Sequence, residues 1–127
     1  MKLSIWMAAK AVVCIVFGIG FVLMPQYLGS IYALSLDPSG ALMARLFGAA
    51  FIFEAIVLWL PRNAPSSDAG LRAIVMAVAV SNAIGFVVTL LATLSGIWNA
   101  LGWLPVLLYL VFGLAFAYFL FAKPAAK

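Results

Sequence analysis

The chain has very few charged or chemically reactive side chains. Of its 127 residues 8% are charged, none is histidine, one is cysteine and three are acidic. These absences exclude histidine-ligated zinc, haem or copper, a disulfide within one chain, and catalytic triads that use histidine as the base. We therefore predict no catalytic residue, no cofactor and no metal site, and we interpret the lone Cys14 as a small buried apolar residue.

Apolar side chains dominate instead. They make up 69% of the sequence, and its mean hydropathy is +1.28. A soluble domain is about half apolar and about a quarter charged, and a small one exposes a large share of its residues. The sequence therefore predicts a single integral membrane domain over residues 1–127, with the lipid bilayer around it. The net charge of +4 does not indicate nucleic-acid binding, because the basic residues are scattered singly.

Four apolar segments are long enough to cross a membrane. They cover about 5–24, 41–60, 71–94 and 104–122, each with roughly the 20 residues that a spanning helix needs. Pro25 and Pro61 end the first two segments, and Asp37-Pro38 opens the second as an N-cap followed by a first-turn proline. Because backbone amides in lipid need partners within the chain, these segments predict an all-α, four-transmembrane-helix bundle.

Basic residues lie on one side of the four segments. The connections 25–40 and 95–103 contain no lysine or arginine, whereas the opposite side carries Lys2, Arg62, Arg72, Lys123 and Lys127. Cytoplasmic loops are enriched in lysine and arginine. We therefore predict a multi-pass protein of the cell (inner) membrane with both termini in the cytoplasm.

The two halves of the sequence resemble each other. The letters IGFV at 19–22 recur at 84–87, and LFGAAF at 46–51 corresponds to VFGLAF at 111–116, at the same offset of 65 residues. This pattern predicts two parallel helical-hairpin repeats related by an axis along the membrane normal. The alternative is that both hairpins need small residues at one depth for close packing. In either case, four glycines are expected at helix contacts: Gly18, Gly48, Gly85 and Gly113.

Two intramembrane charges, both in the first hairpin, lie at matching depth. Lys10 is about 9 Å into the first helix, and Glu54 is about 10 Å from the same side on the second, so we predict an ion pair. One interpretation is that the pair only fixes the register of the hairpin. The other is that Glu54 binds a proton or cation, with Lys10 as a competitor and Asn82 of the third helix as a neutral partner.

A third charge, Arg45, lies near the opposite end of the second helix. It is about 13 Å along and about 180° around that helix from Glu54, so the two side chains cannot pair. The candidate contacts of Arg45 are Asp37, a lipid headgroup and a partner subunit.

Several of these residues fall in a recognisable pattern. The letters LDPSG at 36–40, ARLFGA at 44–49 and RNAP at 62–65, with Trp59 before the last, resemble small bacterial four-helix membrane proteins of the DUF4345-like and DoxX-like groups. The resemblance covers about residues 8–120. It implies a four-helix bundle and importance for Asp37, Arg45 and Gly48, and it implies no catalytic residue. Glu54 lies outside the shared pattern.

Three functions remain open at this point. The first is a structural or accessory role, in which the chain packs with itself as a homo-oligomer or joins a larger membrane complex. The second is a small oligomeric transporter or channel that uses Glu54. The third is an enzyme acting on lipid or quinone, which the missing nucleophile–base pairs disfavour. A cavity shared by Lys10 and Glu54 would favour transport, and a pair with no space around it would favour a scaffold.

Overall fold

The computed structural model describes residues 2–122. In this part of the chain all regular secondary structure is helical: α1 Leu3–Leu23, α2 Pro25–Ile31, α3 Pro38–Trp59, α4 Ala69–Leu94, a 3-10 turn Ala100–Gly102 and α5 Trp103–Phe121. Four segments are long and apolar enough to cross a membrane, namely α1, α3, α4 and α5 with its preceding turn. The all-α, four-span fold predicted from the sequence is confirmed.

The helix ends follow from local chemistry. The side chain of Asp37 accepts a hydrogen bond from the amide of Gly40 at 2.6 Å, and that of Asp68 accepts one from Leu71 at 2.8 Å, so both acids cap helices. Pro25 has a different role from the one expected. It ends α1, but because its ring suits the first position of a helix, it also starts the short α2.

The helices form two hairpins that meet along one side. α1 packs along α3 and α4 packs along α5, while a smaller contact between α1 and α5 joins the hairpins. The resulting order across the bundle is α3, α1, α5, α4. The two outermost helices of this order, α3 and α4, scarcely touch each other.

Glycines allow the close approach within the first hairpin. A Cβ atom on Gly18 would lie 2.9 Å from the carbonyl oxygen of Gly48, and one on Gly48 would lie 2.6 Å from that of Gly18. The backbones of α1 and α3 are therefore in direct contact, as small residues permit between membrane helices. In the second hairpin Gly85 lies against the ring of Tyr109, and a Cβ atom on Gly113 would lie at an ordinary 3.4 Å from the Cβ of Asn82. Gly48 and Gly113 lie at the predicted offset of 65, but the duplication itself stays a prediction.

The tightly packed core occupies one end of the bundle. We call this the inner end, where α1 and α4 begin and α3 and α5 end, and the other the outer end. Side chains from all four long helices meet there: Met7, Ala11, Cys14, Ala55, Leu58, Leu71, Val75, Val78, Phe112 and Phe116. Large apolar side chains also cover the outside of the bundle, as a lipid environment requires and water would disfavour.

Candidate functional site

A cavity of about 670 Å³ lies between the hairpins, on the outer side of this core. Its walls come from all four long helices and are mostly apolar, with Phe17, Phe21, Phe47, Phe51, Val88 and Leu108 among them. Its volume and its apolar character are typical of small-molecule sites in proteins. The floor of the cavity, which borders the core, carries its charged side chains, Lys10 and Glu54, and the amide of Asn82.

The cavity opens sideways between α3 and α4. These two helices are apart, and the side chains along their facing edges that line the cavity are exposed, among them Met43 and Phe47 on α3 and Ile84 and Val88 on α4. All four residues lie within the membrane-spanning segments. A molecule would therefore reach the cavity from the hydrocarbon region of the bilayer.

The predicted ion pair lies at the floor of the cavity. Lys10 Nζ is 3.3 Å from Glu54 Oε1, and the Lys10 side chain is 5% exposed against 24% for Glu54. The ammonium group also lies 5.2 Å from the ring centre of Phe112 and 5.9 Å from that of Tyr109, where the ring faces attract a cation. The two charged residues thus touch each other and also line the cavity. Of the two arrangements distinguished at the outset, the shared cavity is the one that the structure has.

Asn82 reaches the same floor but does not bind Glu54. Its residue is 1% exposed, and its Nδ2 donates a hydrogen bond of 2.6 Å to the carbonyl oxygen of Val78, one turn earlier in α4. That bond fixes the orientation of the amide, because the flipped group would place two oxygens together. The expected hydrogen bond to Glu54 is not formed, and one of the two N–H groups of the amide instead donates to its own helix.

Two buried acceptor atoms at the floor are left without hydrogen bonds. They are Oδ1 of Asn82 and Oε1 of Glu54, which Lys10 approaches at ion-pair distance without hydrogen-bond alignment. Buried polar atoms in proteins nearly always have a partner, and leaving one without a partner costs about 1–3 kcal/mol. Both atoms therefore mark a place where a donor group would be stabilising.

The outer end of the cavity is closed by a roof that ties the two hairpins together. Asn99 donates from Nδ2 to the carbonyl oxygen of Ile31 at 2.8 Å and from its backbone amide to that of Tyr32 at 3.1 Å. The rings of Tyr32 and Trp98 lie 5.3 Å apart, and Trp98 donates to Thr93 Oγ1 at 2.8 Å. Burial raises the pKa of the Tyr32 phenol above its ordinary value.

Arg45 and Asp37 lie at the outer end and do not line the cavity. Arg45 Nε donates to the carbonyl oxygen of Val22 at 3.3 Å, in the last turn of α1, where carbonyl groups lack helical partners. Asp37 uses its carboxylate to cap α3. Within residues 2–122 these two side chains form no ion pair, so the contact considered for them is replaced by two helix-end contacts.

The roof residues are the members of the site that the sequence did not indicate. By sequence alone, Tyr32 and Trp98 have the character of the aromatic side chains that anchor helix ends at a membrane surface. The sequence did contain a signal for the roof, because Ile31-Tyr32 and Ile97-Trp98 are corresponding dipeptides of the two halves. In a parallel repeat, the outer ends of the two hairpins, which carry these dipeptides, would lie near one axis.

Fold and surface together define a small multi-pass membrane protein with an internal cavity. Comparison with family models, with curated proteins and with solved structures finds no match for this chain.

Proposed function

We propose that this protein binds a small amphipathic molecule that reaches the cavity from the bilayer through the gap between α3 and α4. The observation that carries the proposal is the cavity itself, which is apolar along its walls, polar at its floor and open at the depth of the lipid chains. A single chain supplies all the residues that line this space. The transporter hypothesis assumed an oligomer, but binding a small molecule in this cavity does not need one.

The packed core favours a binding site over an open channel. It fills the inner end of the bundle directly below Lys10 and Glu54, so the cavity has a closed floor and opens sideways, between α3 and α4. Transport of a proton or cation at Glu54 stays a proposal, and it would require a carrier that changes conformation. The binding site described here would be one half of such a cycle.

A structural or accessory role is the second candidate, and the gap between α3 and α4 also favours it. A second copy of the chain, or a helix of a larger membrane complex, could cover the exposed apolar side chains along that gap. Membership of the DoxX-like or DUF4345-like proteins is likewise a proposal, which rests on the sequence pattern around Asp37, Arg45 and Gly48.

We also propose that the inner end faces the cytoplasm of a cell whose inner membrane holds the protein. Lys2, Arg62 and Arg72 lie at that end, in agreement with the bias of cytoplasmic loops, while Lys123 and Lys127 lie outside the described residues. In this orientation the cavity would open to the outer half of the bilayer.

Native mass spectrometry of the protein purified in mild detergent tests the binding function. Ala50 lines the cavity, and its neighbour Ala49 does not, because it lies about 100° further around α3. Ala50→Trp places an indole in the cavity, and Ala49→Trp places the same group outside it. We expect the wild-type protein and Ala49→Trp to retain a small molecule at about one per chain, and Ala50→Trp to lose it.

Wild-type protein free of any such molecule, or Ala50→Trp with the same molecule bound, would contradict the binding function. A ligand-free dimer, or a stable complex with another membrane protein, would instead support the structural or accessory role.

A further inference from the structure

We propose that the floor of the cavity selects an uncharged amphiphile whose head group is a hydroxyl. This inference rests on the binding function proposed above and adds the chemical class of the ligand. Lipid chains are as apolar as the cavity walls, so an alkyl tail gains little free energy when it leaves the bilayer for the cavity. Discrimination between ligands must therefore come from the polar floor.

The polar atoms of the floor that lack a partner are all of one kind. Glu54 Oε1 and Asn82 Oδ1 are the buried side-chain atoms without hydrogen bonds in residues 2–122, and both belong to residues that line the cavity. Both are acceptors. Because both atoms are buried, a head group reaches them only when the side chains that cover them move slightly, and it must then bring a hydrogen-bond donor, which excludes ethers, esters and alkyl chains as the recognised group.

The charge of the floor also restricts the head group. Lys10 and Glu54 neutralise each other at 3.3 Å, so the floor is neutral overall. A carboxylate or phosphate head would approach Glu54, and an ammonium head would approach Lys10, each with like-charge repulsion and loss of hydration. An uncharged head group avoids both costs.

A hydroxyl satisfies both conditions and one more. It can donate to a carboxylate or amide oxygen and can accept at the same time from an ammonium group. Lys10 has three N–H donors, and its ion pair with Glu54 does not use all of them. The floor therefore offers acceptors and a donor to a group that has both functions.

Quenching of Trp98 fluorescence tests the inference. Trp98 lines the roof, whereas Trp6, Trp59 and Trp103 do not line the cavity. The probes are a dodecanol brominated at the end remote from the hydroxyl, its methyl ether, and the corresponding carboxylic acid and primary amine. With the head at the floor, the bromine of each probe points toward the roof. Trp98→Phe supplies the background from quenching in the micelle, which is subtracted.

We expect the alcohol to quench the Trp98 component at about tenfold lower concentration than the methyl ether, the gain from one satisfied buried acceptor. The acid and the amine should bind more weakly than the alcohol at neutral pH. Asn82→Leu removes one of the two acceptors at similar volume and should reduce the preference for the alcohol over the ether to about threefold, because Glu54 Oε1 remains. Glu54→Gln leaves the Lys10 charge without its partner and should shift the preference toward the acid.

The wild-type comparison does not depend on the folding of any variant. Equal quenching of Trp98 by alcohol and ether, or strongest quenching by the acid or the amine, would overturn the head-group proposal while the binding function stands. No Trp98-specific quenching by any of the four probes would overturn the binding function as well.

Discussion

Lys10 is a lysine side chain that is almost fully buried in an apolar bundle, and it is tolerated because Glu54 and two aromatic rings surround its ammonium group. An unpaired charge at this depth costs roughly 2.5–3.5 kcal/mol on insertion scales. The cost falls unequally on the two residues. Loss of Glu54 leaves a charge that is buried, whereas loss of Lys10 leaves a carboxylate that partly faces the cavity.

We predict that Glu54→Gln lowers the free energy of unfolding by about 3 kcal/mol or more. Lys10→Met should cost less, because Glu54 is more exposed than Lys10. The double variant Lys10→Met/Glu54→Gln should recover most of the loss, since no charge is left unpaired. Unfolding in sodium dodecyl sulfate, followed by circular dichroism, measures all four proteins. Additive losses in the double variant would show that the pair does not hold the two charges.

The ion pair was predictable from the sequence, and its surroundings were not. Matching depth on two adjacent antiparallel helices is enough to bring Lys10 and Glu54 together. The unpartnered oxygens depend on rotamers and on which donor each amide or ammonium group reaches first. For Asn82 the nearest acceptor is Val78 of its own helix, which no spacing argument ranks above Glu54.

At the scale of helices, the crossing of α1 and α3 depends on two glycines that face each other. Glycines at helix contacts were expected from the sequence, but the two hairpins use them differently. Gly48 meets backbone of the neighbouring helix, and Gly113 meets a side chain with ordinary clearance. The repeat pattern therefore does not predict how tightly each position is packed.

We predict that Gly48→Ala destabilises the protein by about 1–3 kcal/mol, because its Cβ would lie 2.6 Å from the carbonyl oxygen of Gly18 and the helices must separate. Gly113→Ala is the matched control at the corresponding position of the second hairpin. Its Cβ would meet Asn82 at 3.4 Å, so the stability should change by less than about 0.5 kcal/mol. Thermal unfolding in detergent compares the two, and equal losses would contradict the packing described for α1 and α3.

The roof is the second connection between elements, and its integrity can be followed through Tyr32. The residue is 8% exposed, and burial raises the pKa of its phenol, so the folded protein prefers the neutral form. Stability therefore falls as the pH rises above the ordinary tyrosine value of about 10, because the unfolded chain loses this proton first.

We predict that Asn99→Ala lowers the pKa of Tyr32 toward that ordinary value and weakens the loss of stability at alkaline pH. The substitution removes the side-chain hydrogen bond to Ile31, which holds the roof closed. Absorbance titration of tyrosinate, with Tyr32→Phe in each background to isolate the residue, measures the shift. Asn63→Ala, in the exposed loop at the inner end, should leave the titration unchanged. If the pKa of Tyr32 is unchanged in Asn99→Ala, Asn99 does not hold the roof closed.

At the scale of the whole molecule, the sequence predicted the four spans well because their length and hydropathy are independent of how the helices pack. The cavity is a different kind of feature. It arises because the hairpins meet through α1 and α5 and stay apart at α3 and α4. That arrangement depends on the relative tilt and distance of the two hairpins. Because the helices are apolar on nearly all sides, the sequence has no apolar periodicity that would predict which faces meet.

We predict that the connection between α1 and α3 is extracellular or periplasmic and that the connection between α3 and α4 is cytoplasmic. In a Cys14→Ser background, Ser35→Cys should react with a membrane-impermeant maleimide in intact spheroplasts. Asn63→Cys should react only after permeabilisation. The reverse pattern would invert the topology and would place the cavity opening in the inner half of the bilayer.

The central claim is that a lipid-like molecule occupies the space next to Asn82, and nuclear magnetic resonance tests it most directly. The chain has three asparagines, Asn63, Asn82 and Asn99, so asparagine-selective ¹⁵N labelling in perdeuterated detergent gives three resolvable side-chain amides. With protonated dodecanol added, we predict nuclear Overhauser effects from the alcohol's methylene protons to the Asn82 amide and none to Asn63. They should disappear in Ala50→Trp and persist in Ala49→Trp. An Asn82 amide that senses only protons of the protein, at saturating dodecanol, would contradict the account.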